Sequence, residues 1–144
     1  MLDYVHDNTL CLQSYTLSIG HCNALARAFE YFEDFISRVV LDNCGIDDEE
    51  FAAILRGILK LKDFKKIIYR YNTVHTHSLR WLTELLERKI PNHLEELRIE
   101  NCKIEPSIAT ELVEAIAQKC YLTKLALVNA KFTVEAFDKL CLFV

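Results

Sequence analysis

The chain has 144 residues, 51% of them apolar and 26% charged, and 17 Lys and Arg against 21 Asp and Glu leave a net charge of -4. That balance suits one folded domain. It excludes a disordered chain, a collagen-like or Pro-rich chain (3 Gly, 2 Pro) and a basic surface built for phosphate backbones. No apolar run approaches the roughly 20 residues of a membrane span, and the N-terminal MLDYVHDNTL has neither the basic n-region nor the long h-region of a secretory signal.

From the N-terminus onward, one spacing returns five times. It is weak at Asp7, Leu10, Leu12, Tyr15 and Leu17, and clearer at Ile36, Val39, Leu41, Cys44 and Ile46. It follows at Phe64, Ile67, Tyr69, Asn72 and Val74, then at Leu94, Leu97, Ile99, Cys102 and Ile104, and last at Leu122, Leu125, Leu127, Ala130 and Phe132. The third members, Leu12, Leu41, Tyr69, Ile99 and Leu127, lie 29, 28, 30 and 28 residues apart. Each stretch alternates with period two, which predicts short strands near 10–12, 39–41, 67–69, 97–99 and 125–127.

Behind each strand, apolar residues recur at intervals of three and four. They are Cys22, Leu25 and Phe29; Phe51, Ile54 and Ile58; Leu79, Leu82 and Leu86; Ala109, Leu112 and Ile116; Phe137, Leu140 and Val144. This spacing predicts helices near 21–33, 48–61, 76–88, 106–119 and 134–143. Outside the Cys/Asn column, every one of these strand and helix positions is apolar except Asp7. A helix that returns the chain to start a parallel neighbour is the crossover such strands need. Strands sit roughly 4.8 Å apart and helices about 10 Å, so strands take the inner arc of a curved stack. The column of Tyr15, Cys44, Asn72, Cys102 and Ala130 falls in the turns, where an inward amide or thiol meets buried backbone groups.

Length, spacing and the Cys/Asn column together resemble the leucine-rich repeat family, in particular its ribonuclease-inhibitor-like subclass with long helical repeats. The resemblance implies an α/β leucine-rich-repeat solenoid, a curved parallel sheet inside and helices outside. It forms a single domain over 1–144 with repeats near 7–35, 36–63, 64–93, 94–121 and 122–144.

The six cysteines, Cys11, Cys22, Cys44, Cys102, Cys120 and Cys141, include no CxxC pair. With no export signal they read as reduced, mostly buried small hydrophobes of a cytoplasmic protein. No GxSxG, Walker A, GxGxxG or HExxH string occurs. His75 and His77 read as a polar helix entry rather than metal ligands, and Asp47 to Glu50 as carboxylates at a helix N-terminus. Cys44 and Cys102 read as structural. The expectation is therefore no enzyme, no metal and no cofactor. Trp81 is expected to pack against the neighbouring helix.

In this repeat type the outward strand residues form the concave face. Its centre is expected to hold Val40, Ile68 and Tyr71, bordered by Arg38, Arg70 and Arg98, with Asp42 and Glu100 beside them. An apolar centre with an Arg rim is the composition of an interface hot spot. The first unit is read as starting without a capping strand, and the last ends on Leu140, Cys141, Leu142, Phe143 and Val144. Both ends are thus expected to be covered, by neighbouring subunits or by further chain, with Phe137, Leu140, Leu142 and Phe143 as the C-terminal contact. The function expected is a protein–protein interaction scaffold, a structural subunit of a large complex, cytoskeletal or ciliary. The alternative is a regulator of an enzyme, such as a GTPase activator or a ubiquitin-ligase adaptor. Partners are proteins, not nucleic acid or membrane.

Overall fold

The computed structural model describes residues 5–119 and 121–142. The chain is α/β. Two strands, β1 (Val5–His6) and β2 (Thr9–Gln13), are followed by α1 (Ile19–Ala28) and a 3-10 turn over Phe29–Tyr31. Then come β3 (Arg38–Asp42), α2 (Asp48–Ile58), β4 (Lys66–Arg70), β5 (Thr73–Val74) and α3 (Thr76–Leu86). The remainder is β6 (Glu96–Glu100), β7 (Lys103–Ile104), α4 (Pro106–Lys119), β8 (Lys124–Val128) and α5 (Val134–Cys141).

β2, β3, β4, β6 and β8 form one parallel sheet in chain order. Its register pairs Leu12, Leu41, Tyr69, Ile99 and Leu127 across successive strands, so the spacing of 28 to 30 residues is one strand–helix circuit. The strands run one residue past each predicted end. Inward strand residues and one stripe of each helix share a single core: Val39, Leu41, Ile67, Tyr69 and Leu112 are fully buried. Phe51 of α2 stacks on Tyr69 of β4 at 3.7 Å between ring centroids.

The turn column works as a backbone clamp. The Asn72 amide donates to the carbonyls of Leu41 (3.2 Å) and Arg70 (2.7 Å) and accepts from the N–H groups of Cys44 (3.2 Å) and Ile46 (3.1 Å). Cys44 Sγ donates to Leu12 and Asp42 carbonyls, and Cys102 Sγ to those of Tyr69 and Glu100. Cys44, Asn72 and Cys102 thus each bond to their own strand and to the one before it, and Asn72 also gives two buried turn N–H groups an acceptor.

Several expectations are corrected. A strand does precede the first unit: β1 pairs antiparallel with β2, Val5 opposite Leu10 and His6 opposite Thr9. Asp7 and Asn8 form its two-residue turn, both at positive φ (50° and 62°). That is the backbone of a type I′ hairpin, and it takes Asp7 out of the core column. α1 begins at Ile19, where Ser18 caps it, and stops at Ala28 rather than 33, because the chain tightens into the 3-10 turn that seats Phe29 in the core. α2 and α3 end at Ile58 and Leu86, short of the predicted 61 and 88, and α5 ends at Cys141. Position 143, Cys120 and Val144 lie outside the described residues. Cys22, Cys44 and Cys102 are buried, whereas Cys11 and Cys141 are exposed.

Candidate functional site

The face of the sheet turned away from the helices carries the outward residues of every strand. Alternation along each strand places Val40, Ile68 and Arg98 in one row, and Asp42, Arg70 and Glu100 in the next. These rows set opposite charges side by side. Lys66 pairs with Glu96 at 3.1 Å, and Arg98 with Glu96 at 2.7 Å and Glu100 at 3.5 Å. Arg70 pairs with Glu100 at 2.6 Å and reaches Asp42 at 3.9 Å. One chain of ion pairs therefore links β3, β4 and β6 across the face. Burial pushes the Glu96 carboxyl up, but hydrogen bonds from Arg98 and Lys66 outweigh it, and Glu96 is held below the usual carboxylate range.

Three of the expected interface residues are placed differently. Ile68 is only 8% exposed, because its row neighbours Val40 and Arg98 flank it in register. Arg70 and Arg98 are not free rim cations; their guanidinium groups are spent on Glu96 and Glu100. Arg38 is exposed at the start of β3. It lines a groove of about 550 Å³ along the strand starts, with Lys65, Lys66, Glu95, Glu96 and Lys124.

At the other end of the strands lies a feature that periodicity did not show. The residue after each long strand, Ser14, Asn43, Tyr71, Asn101 and Asn129, has φ between 51° and 53°. In this left-handed conformation each N–H from Ser14 to Asn101 bonds the last carbonyl of the following strand: Ser14 to Asp42, Asn43 to Arg70, Tyr71 to Glu100, Asn101 to Val128. Asn adopts such a φ with little penalty, and three of the five positions are Asn. Ser14 and Tyr71 are the other two, and Tyr71, the one bulky side chain among the five, is 58% exposed. It stands between two grooves. One, about 470 Å³, is lined by Asn43, Asp47, Thr73 and Lys103; the other, about 410 Å³, by Asn129, Ile104 and Lys131; Asn101 lines both. Asn129 donates its amide to Asn101 Oδ1 at 2.5 Å. The run of Asn at a fixed place in the repeat was the signal available in the sequence.

The last strand–helix unit is more open than the rest. Leu125 of β8 is 39% exposed, while Val39, Ile67 and Leu97, its counterparts in register, are at most 1% exposed. Phe137 and Leu142 are exposed, as is Val134. Leu140 instead packs partly against the core, and position 143, Phe143, is outside the described residues.

Polar side chains in the turns hold the helix N-termini. His75 caps α3, its Nδ1 accepting from the Thr76 N–H at 2.7 Å, which makes Nε2 the protonated nitrogen that meets Glu105. Asp48 accepts from the His77 N–H, the Ser78 N–H and the Ser78 hydroxyl at 2.7–2.9 Å. Among the described residues no group of three or more His, Cys, Asp or Glu is placed to hold a metal ion. Burial pushes the Cys22 thiol up to about 11 and raises Cys44 and Cys102 as well, so these thiols stay protonated at neutral pH. Trp81 is partly buried against the core. Among the described residues no helix is long and apolar enough to cross a membrane.

The chain matches no protein-family model, and no curated protein matches it.

Proposed function

We propose that the chain is a leucine-rich-repeat solenoid whose work is binding: a non-catalytic scaffold, part of a larger cytoplasmic assembly of the cytoskeletal or ciliary kind. The repeat reading is supported by the in-register strands one circuit apart and by the Asn72 and Cys clamps that tie each turn to the strand before it. Strands packed closer than helices bend such an array, with the sheet on the inner arc. Membership of an assembly is supported by the apolar surface of Leu125, Phe137 and Leu142.

One observation carries the binding reading: Tyr71. An aromatic side chain at φ 53° costs about 1 kcal/mol over Asn. That cost returns little to the core, because the ring is mostly exposed. Tyr is a favoured anchor at protein interfaces, where a rigid ring supplies contact area and its hydroxyl a hydrogen bond. The ion-paired Arg70 and Glu100 beside it form a rigid polar surround.

Crosslinking mass spectrometry of the protein in native extract, with an amine-reactive reagent, tests this. Crosslinks to partner proteins are expected at Lys66, Lys103 and Lys124, which border the strand face and its grooves. Crosslinks confined to Lys60 and Lys62, at the end of α2, would place binding elsewhere.

A further inference from the structure

Trp81 is the one tryptophan of the chain, and it lies in the middle of α3 with part of its indole against the core. Two guanidinium groups stand over the remainder. Cζ of Arg80 is 5.3 Å from the ring centroid, and Cζ of Arg56, reaching across from α2, is 5.8 Å. Both arginines are exposed. The electron-rich face of the indole attracts each cation and holds two like charges at one spot.

Neither arginine has an ion-pair partner among the described residues, although Glu84 lies only one turn further along α3. Arg27, in the last turn of α1, is likewise without an ion pair among the described residues, whereas several other cations near the helix ends are matched. Lys60 is held by Glu30, Lys62 by Glu33, and Lys139 by Glu114. Arg88 donates to the Leu61 carbonyl at 2.9 Å. A guanidinium stacked on a ring uses its flat face, and its N–H edge stays open to a carboxylate, often through two parallel bonds. The α2–α3 face therefore presents two exposed guanidinium groups beside one aromatic ring, with no ion-pair partner among the described residues.

We propose that this face docks an acidic protein segment, two of its carboxylates closing on Arg56 and Arg80 over Trp81. The site lies on the helix side and does not rest on the strand-face reading. A nucleic acid fits less well. Polyanion backbones are held by a track of several cations, whereas here two cations gather at one ring, Glu84 lies on the same helix as Arg80, and the chain's net charge is -4.

Trp81 reports on its own site, because its emission is the chain's entire tryptophan signal. Titrating the intact chain with an oligoglutamate peptide is expected to shift that emission saturably. Arg56→Gln with Arg80→Gln is expected to weaken the response about tenfold or more, with its thermal melt showing that it still folds. Arg56→Lys with Arg80→Lys keeps the charge but loses the forks, and is expected to weaken it severalfold. Absence of a saturable shift overturns the proposal, as does an equal response in the Gln variant. Tighter binding of an oligothymidylate of equal charge overturns it too.

Discussion

Gly57, inside α2, sits where α1 comes closest. A Cβ there would lie 2.6 Å from Ala26 Cα and 2.8 Å from both Ala26 Cβ and Phe29 Cδ2. In an open helix, Gly→Ala gains about 1 kcal/mol of propensity. Here backbone blocks the space, and Gly57→Ala is expected to cost about 1–3 kcal/mol in denaturant melts. Asp48 is set by equally local forces. Burial pushes its carboxyl up, but bonds from the Ser78 hydroxyl and the Ser78 and His77 N–H groups hold it below its usual range. A carboxyl depressed in the folded state contributes stability that is present above its unfolded pKa, about 4, and lost as pH falls through the folded value. Asp48→Asn is therefore expected to destabilise at neutral pH. The gap to wild type, followed by urea melts, is expected to close as pH drops below about 4.

At the scale of the element, the clamps decide how strands and turns join. Asn72→Ala removes four hydrogen bonds and leaves the buried N–H groups of Cys44 and Ile46 without their acceptor. It is expected to cost about 2–3 kcal/mol by denaturant melts; Cys44 or Cys102 to Ala, losing weaker thiol bonds, is expected to cost less. The strands, helices and clamp column were legible in the sequence because burial imposes a period on them. Outward positions carry no such period, so Ile68 read as exposed when its register neighbours cover it. Yet the aligned columns already set Arg70 between Asp42 and Glu100, and the ion-pair chain was there to be read once charge was followed across strands. The β1 hairpin was missed for a different reason. The spacing sets Asp7 in a hydrophobic column, although the adjacent pair Asp7 and Asn8 favours positive φ in a tight turn.

At the scale of the whole molecule, the core is closed along the array and opens at β8 and α5. Leu125, Val128, Phe137 and Leu142 leave apolar surface there, and β8 pairs with β6 on one side only among the described residues. Light scattering of the purified chain is expected to show self-association that Phe137→Glu with Leu142→Glu reduces; a monomer unaffected by those changes would count against this end as a contact. The central claim, that the chain is a binding module anchored by Tyr71, is tested most directly by Tyr71→Asn. Relief of backbone strain is worth about 1 kcal/mol and the mostly exposed ring gives up little contact, so melts are expected to place the variant within about 1 kcal/mol of wild type, on the stable side. Calorimetric titration with the partner captured at the strand face is expected to show affinity down about tenfold or more. Unchanged affinity, or a loss of stability large enough to account for the lost binding, would contradict it.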